Sequence, residues 1–232
     1  MRTKRRSTTP GLAEQRFPGY DAVARARAWD ATTTAVVLGR LEPPALPQFF
    51  GAAEEAIVRQ LLDRLLGQDD DPRVPVFEVL DRRLAERQGD GYRYDDLPED
   101  PEAWRLSVAA LDAEARSANS DGFVSIDRQA QRDIIERVRL CKGAWHGLPA
   151  KHVFSLWMRY ACSAFYAHPW AWNEIGFGGP AYPTGYKHLA LDGREHWEVP
   201  ERDAHDPVPW AERAEDAKKR HAAGLSQPEG SS

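Results

Sequence analysis

Residues 152–186 read HVFSLWMRYACSAFYAHPWAWNEIGFGGPAYPTGY, and this stretch decides the fold. Its first half predicts a helix over 150–167, in which the polar positions are few: Ser155, Arg159 and Ser163. These three positions fall at i, i+4 and i+8, so they form one narrow stripe on an otherwise apolar helix. Such a helix is buried on nearly all sides. It is too short to cross a membrane, and it also carries an arginine at its middle. The sequence therefore predicts that it is the central helix of the domain.

An aromatic and glycine-rich segment follows this helix. Pro169 ends the helix, because proline disfavours a helical conformation in the residue before it, and the glycines beyond it predict a loop over 170–186. The loop is interpreted as a lid of self-packed rings, a docking surface for a partner, or a mononucleotide site whose glycine spacing departs from G-x-G-x-x-G. We predict a partner interface near the partner's substrate entrance, since Trp and Tyr are enriched at binding hot spots; for Trp172 the alternative is a core residue. The predicted contacts are Trp170, Trp172, Asn173, Phe177, Gly178, Gly179, Tyr182 and Tyr186.

The composition bounds the class of protein. The 232 residues predict one domain with extensions, and the eight tryptophans predict a large aromatic core, an interface or both. The net charge of -5 argues against nucleic acid binding. No apolar run follows the pair Arg5-Arg6, so we expect no export signal and a cytoplasmic protein, or one exported together with a signal-bearing partner. Cys141 and Cys162 have no metal or redox spacing, which predicts two buried thiols, or one disulfide if the protein is exported.

Apolar periodicity predicts further helices before the central one. They lie over 20–37, 47–66, 74–88, 102–117 and 127–140. The predicted fold is all-α: a small multi-helix domain around one buried central helix, with extended N- and C-terminal arms and no regular sheet between residues 49 and 170. The predicted organisation is a leader over 1–48, the helical domain over 49–200 and a polar tail over 201–232 that contains a short helix over 209–223.

Few residues suggest catalysis or metal binding. The histidines form no H-E-x-x-H pattern, and no serine lies in a G-x-S-x-G turn. Residues 117–128 imitate a calcium loop, but Arg128 stands at the last ligand position, and for the carboxylates of 69–71 a solvated turn is favoured over a cation site. His168 is the remaining acid–base candidate, and its alternative is a capping or hydrogen-bonded core histidine. A stand-alone enzyme that uses His168 and nearby carboxylates therefore remains an alternative, as does a helical scaffold protein.

The motifs and their order resemble the gluconate 2-dehydrogenase subunit 3 family, a family of small subunits. In the central stretch the matching residues are Phe154, Leu156, Phe165, Pro169, Gly178 and Gly179. Elsewhere, in the same sequence order as in the family, come Phe49-Phe50, Val74–Phe77, Trp104, residues 111–115, Gly122-Phe123 and Gln131. The resemblance covers 49–186, and Pro180 stands where many members have asparagine.

This resemblance implies a non-catalytic subunit that binds and stabilises an FAD-dependent catalytic subunit of the glucose-methanol-choline type. The partner would hold FAD and oxidise a sugar or polyol, whereas this chain would hold no cofactor, and the two would form a hetero-oligomer. The resemblance leaves open the substrate of the partner and whether a cytochrome subunit completes the complex; this chain has no C-x-x-C-H haem site. We expect neither nucleic acid binding nor membrane insertion by this chain.

Overall fold

The computed structural model describes residues 17, 20–42, 46–69, 73–119, 121–188, 193 and 195–199. Its elements in chain order are a 3-10 helix Ala22–Ala28, α1 Ala31–Gly39, α2 Ala52–Leu66, α3 Val76–Ala85, α4 Asp100–Asn119, α5 Arg128–Leu140, β1 Ala144–Trp145, β2 Leu148–Pro149, α6 Ala150–Tyr166 and α7 Pro169–Ile175. The all-α prediction is confirmed. The tail with its predicted helix over 209–223, and the leader before residue 17, lie outside the described residues.

Helix α6 is the predicted central helix. It packs against α2, α3, α4, α5 and α7. Trp157 is fully buried at the middle of α6, and its indole N–H donates a 3.0 Å hydrogen bond to the hydroxyl of Ser107 on α4. Tyr160, one turn further, is 1% exposed, and its hydroxyl donates to Asp100 at 2.6 Å. Burial and this hydrogen bond raise the pKa of Tyr160, so the phenol stays neutral.

The polar stripe of α6 forms hydrogen bonds with the polar segment 86–99, which connects α3 to α4. Ser155 Oγ lies 3.2 Å from the hydroxyl of Tyr94, and Arg159 donates to the backbone oxygen of Tyr92 at 2.9 Å. The third stripe residue, Ser163, accepts a hydrogen bond at 3.1 Å from an arginine of α3. The stripe that interrupts the apolar surface of α6 is therefore the line along which this polar segment is attached to the core.

Helix α2 begins at Ala52, later than the periodicity predicts. The buried carboxylate of Asp81, on α3, accepts hydrogen bonds from the backbone amides of residues 48–50 at 2.6–3.2 Å. These amides are thereby held outside the helix. Gly51 then caps α2, and its amide donates to Glu54 Oε2 at 2.9 Å, which satisfies a backbone donor at the helix start.

The N-terminal arm, residues 20–42, forms two short helices where the periodicity predicts one. Asp21 caps the 3-10 helix, and Asp30 caps α1 by accepting a 2.9 Å hydrogen bond from the amide of Thr33. Trp29, between them, has an extended backbone. Because each aspartate competes for backbone amides, it starts a new helix at its own position.

One short hairpin departs from the prediction of no sheet. Ala144 pairs with Pro149 and Trp145 with Leu148 in an antiparallel ladder of two residues per strand. His146 and Gly147 at its tip have φ of 50° and 80°. A two-residue turn with positive φ at both positions favours a hairpin, and this local turn outweighed the helical context on both sides.

Candidate partner interface

The segment after α6 is partly helical, where the sequence predicts a loop. Pro169 ends α6 but also occupies the first turn of α7, a position that needs no backbone N–H. The side chain of His168 caps α7, since its Nδ1 accepts from the amide of Trp170 at 3.3 Å. Gly176 ends α7 with a left-handed φ of 69°. We call residues 169–186 the aromatic segment.

The inner side of the aromatic segment is covered by the N-terminal arm of the same chain. Trp172 is 4% exposed and packs in a small apolar cluster with Ala22, Trp29 and Val37. Its indole N–H donates to the backbone oxygen of Tyr166 at 2.7 Å. The structure thus supports the core alternative for Trp172, whose side chain a partner reaches only if the arm moves away. We call this contact between arm and segment the arm contact.

Two hydrogen bonds reinforce the arm contact, and a third joins the arm to the end of α6. The buried side chain of Asn173 accepts from the amide of Ala22 at 2.7 Å. Arg25 Nη1 donates to the backbone oxygen of Gly178 at 2.6 Å. Just before the segment, Arg40 Nη1 donates to the backbone oxygen of Ala167 at 2.7 Å. Asn173, like Trp172, is therefore occupied within the chain.

The glycine pair permits a close approach that a side chain would block. Gly178 and Gly179 are both buried. A Cβ on Gly178 would lie 2.8 Å from the ring of Trp197, and one on Gly179, which has φ of +79°, would lie 2.6 Å from the ring of Trp29. The sequence predicted that these glycines admit a partner's backbone. In the structure, the groups that approach them belong to this chain.

The outer side of the segment remains exposed. Of the predicted contacts, Phe177 is 40% exposed, Tyr182 65% and Tyr186 47%. Trp170 is half-buried and packs against the main core. Two exposed apolar side chains were not predicted: Tyr166, at the last position of α6, and Ile175, at the last position of α7. Both lie at the last position of a helix. The point in the sequence where the helical apolar repeat stops is the pattern from which their exposure could have been predicted.

We call five exposed side chains within residues 166–186 the exposed apolar surface, and we take them as the candidate interface of the molecule. Its members are Tyr166, Ile175, Phe177, Tyr182 and Tyr186. The phenol hydroxyls of the tyrosines add polar tips to an apolar area, a combination that is enriched where proteins bind one another. The prediction that this segment contacts a partner stays a prediction for the exposed members.

His168 has the environment of a structural residue. It is 4% exposed, and burial, together with the nearby Arg40 guanidinium, lowers the pKa of His168 to about 4. The ring is therefore neutral at neutral pH, and its Nδ1 lone pair is engaged by the Trp170 amide. A neutral, capped histidine corresponds to the capping alternative rather than to a general acid or base.

The other titratable candidates have structural contacts. Asp69, from the predicted carboxylate turn, pairs with Arg64 at 3.0 Å and with Arg132 at 2.7 Å. Asp127, in the calcium-like loop, caps α5. Among the described residues no group of three His, Cys, Asp or Glu side chains is placed to hold a metal. Cys141 and Cys162 are free, partly exposed thiols, and burial raises the pKa of Cys162.

The fold and the candidate interface define a small all-α domain with an exposed apolar surface beside its central helix. The family model of gluconate 2-dehydrogenase subunit 3 matches residues 52–179, and the chain belongs to this family. No match was found among curated proteins or solved structures. The matched part begins at the start of α2 and ends at Gly179, so it contains most of the main core and the inner side of the aromatic segment but not the arm. No described helix has the length and apolar character needed to span a membrane.

Proposed function

We propose that this chain is an accessory subunit that binds and stabilises an FAD-dependent sugar or polyol dehydrogenase of the glucose-methanol-choline type. The family describes a subunit of a dehydrogenase, and a subunit needs a surface for its partner. The observation that carries the proposal is the exposed apolar surface, which lies at the end of the central helix within and just beyond the matched region. FAD and the oxidation belong to the partner in this proposal.

The physical basis is the burial of aromatic area. Tyr182 and Tyr186 expose about half or more of their side chains, and Phe177 exposes 40%. Burying such rings against a partner stabilises a complex, because each ring removes a large apolar area from water with few rotatable bonds to order. Phe177 is already oriented by its 5.3 Å edge-to-face contact with Trp172. The arm contact therefore orders part of the surface before the partner arrives.

Co-purification tests the proposal. The tagged chain is expressed in its native host, and the proteins that copurify are identified by mass spectrometry and by flavin absorbance. We expect a flavin dehydrogenase to copurify with the wild type and to be at least tenfold depleted with the double variant Phe177→Ala, Tyr182→Ala. Leu140→Ala is the control for loss of exposed apolar area, because Leu140 is 60% exposed at the end of α5 and is not part of the aromatic segment.

The alternatives give different results. Flavin bound to the isolated chain, with turnover of a sugar or polyol, would support a stand-alone enzyme. Recovery of the wild type with no oxidoreductase would support a scaffold protein. An equal yield of dehydrogenase with the double variant and with wild type would exclude the exposed apolar surface as the contact.

A further inference from the structure

A groove of about 700 Å³ lies between the N-terminal arm and the main core. Helix α1 lines it with Ala35, Val36 and Gly39, α3 lines it with Val79 and Arg82, and the C-terminal end of α6 completes it. Ala167 also lines the groove, and it directly follows Tyr166, which is a member of the exposed apolar surface. Both features therefore include residues at the C-terminal end of the central helix.

Helix α1 has the composition of a buried helix but is largely exposed. Its sequence, ATTTAVVLG, contains no charged residue, and Val37 is its one buried residue. Val36 is 55% exposed, and Ala31, Ala35 and Gly39 are exposed on one face at i, i+4 and i+8. Its polar residues are the three threonines 32–34, so its C-terminal half is apolar, and an apolar helix surface is normally covered. The small residues on this face would allow another backbone to approach closely.

The charges around the groove are unevenly paired. Arg83 pairs with Asp90, and Glu78 pairs with Arg59 at 2.9 Å. Arg82 has no carboxylate partner among the described residues. Arg40 donates to the backbone oxygen of Ala167, and burial lowers the pKa of Arg40. Among the carboxylates on the rim, Glu42 alone has no described partner, so one carboxylate faces two arginines, Arg40 and Arg82. An occupant that brings its own carboxylate would balance these charges.

The size of α1 argues for a large partner rather than a second copy. A helix of nine residues is roughly 13 Å long. Pairing two copies of such a helix across a two-fold axis buries far less than the roughly 1,200 Å² that a stable interface needs. The groove is therefore better suited to be one part of a wider contact, and the adjoining exposed apolar surface supplies the rest.

We infer that the groove receives an apolar segment of the catalytic partner, with a carboxylate of that segment placed against Arg82. This inference rests on the proposed function and assigns α1, which lies outside the part of the chain matched by the family model, to partner recognition. The small face of α1 would accept the apolar side chains, and the guanidinium of Arg82 would fix the orientation of the segment.

The test uses the full-length chain with the flavoprotein identified by co-purification. We expect Val36→Asp and Arg82→Glu each to raise the Kd at least tenfold, with the melting temperature unchanged since both side chains are exposed. Arg82→Lys should bind more tightly than Arg82→Glu but more weakly than wild type, because it keeps the charge and loses the guanidinium geometry. Leu106→Asp is the control for Val36→Asp, since Leu106 is 44% exposed on α4 and does not line the groove.

The outcomes separate this inference from the proposed function. If Val36→Asp and Arg82→Glu bind as wild type while Phe177→Ala, Tyr182→Ala loses the partner, the groove is not a contact and the proposed function stands. If the wild type recovers no flavoprotein, both are overturned. If Arg82→Glu alone binds normally, the assigned carboxylate is excluded.

Discussion

The main core around α6 and the arm contact are held together in different ways. The core buries a continuous set of apolar side chains from α2 to α6, with Trp104 and Trp157 fully buried. The arm contact buries an apolar cluster of four residues and depends on hydrogen bonds that join positions more than 100 residues apart, such as Ala22 with Asn173. The core is therefore stabilised mainly by non-directional burial, whereas the arm contact is stabilised by a few specific groups. Single substitutions should affect the two regions by different amounts and in different ways.

The largest effect is expected for Trp157→Ala in the main core. The substitution leaves a cavity beside Trp145, whose ring lies 5.8 Å away, and removes the donor to Ser107. We expect the free energy of unfolding to fall by about 3–5 kcal/mol. Denaturant unfolding followed by far-UV circular dichroism measures it. A loss below about 1 kcal/mol would show that α6 is not the centre of the core.

The next effect is a pH dependence from His168, which lies between the two regions. In the unfolded chain the imidazole binds a proton below about pH 6.5, whereas in the folded chain it does so below about pH 4. Between these values the unfolded state binds more protons, so stability rises with pH. The contribution of His168 is complete above about pH 6.5, and its loss on lowering the pH to 4 is on the order of 3 kcal/mol.

His168→Asn isolates this titration. Asparagine keeps a side-chain oxygen to cap α7 but does not ionise. The difference in unfolding free energy between wild type and variant should therefore shrink as the pH falls from 7 to 4, while other titrating groups cancel. A difference that stays constant with pH would mean that His168 is not buried as described.

A smaller effect is expected for Gly179→Ala in the arm contact. The new Cβ would meet Trp29 at 2.6 Å on a backbone with φ of +79°. We expect a loss of about 2–3 kcal/mol from strain and overpacking together. Gly185→Ala is the matched control, because Gly185 has φ of +68° with no atom within 4 Å of its Cβ position. Equal losses in the two variants, measured by thermal melting, would remove the Trp29 contact from the explanation.

The smallest effect is expected for Asn173→Ala. It leaves the buried amide of Ala22 without its side-chain acceptor, which costs about 1–2 kcal/mol. We expect faster hydrogen exchange at the Ala22 amide and unchanged exchange within α6, because the arm contact would open locally while the main core stays folded. Exchange that accelerates in α6 to the same degree would show that the two regions unfold as one.

The sequence predicted the elements whose evidence is local. The nearly all-apolar surface of α6 marked it as the central helix, and the apolar periodicity over 127–140 marked α5, which Asp127 caps. The helix boundary that the sequence predicted wrongly, the start of α2, depends on a distant group. Asp81 withholds three amides from α2, and its role is invisible from residues 48–50 themselves. The short hairpin was missed because its signal is two residues long, at His146 and Gly147.

For the candidate site, the sequence by itself determined which residue types are present and therefore which segment can make close or aromatic contacts. Apolar area and glycine backbones are properties of single residues, so the aromatic segment could be recognised without a structure. Only the tertiary structure decided which contact each residue makes: Trp172, Asn173, Gly178 and Gly179 face the chain's own arm, while Phe177, Tyr182 and Tyr186 face outward. The physical reason is that burial depends on what covers a side chain, and here the cover comes from residues more than 100 positions away.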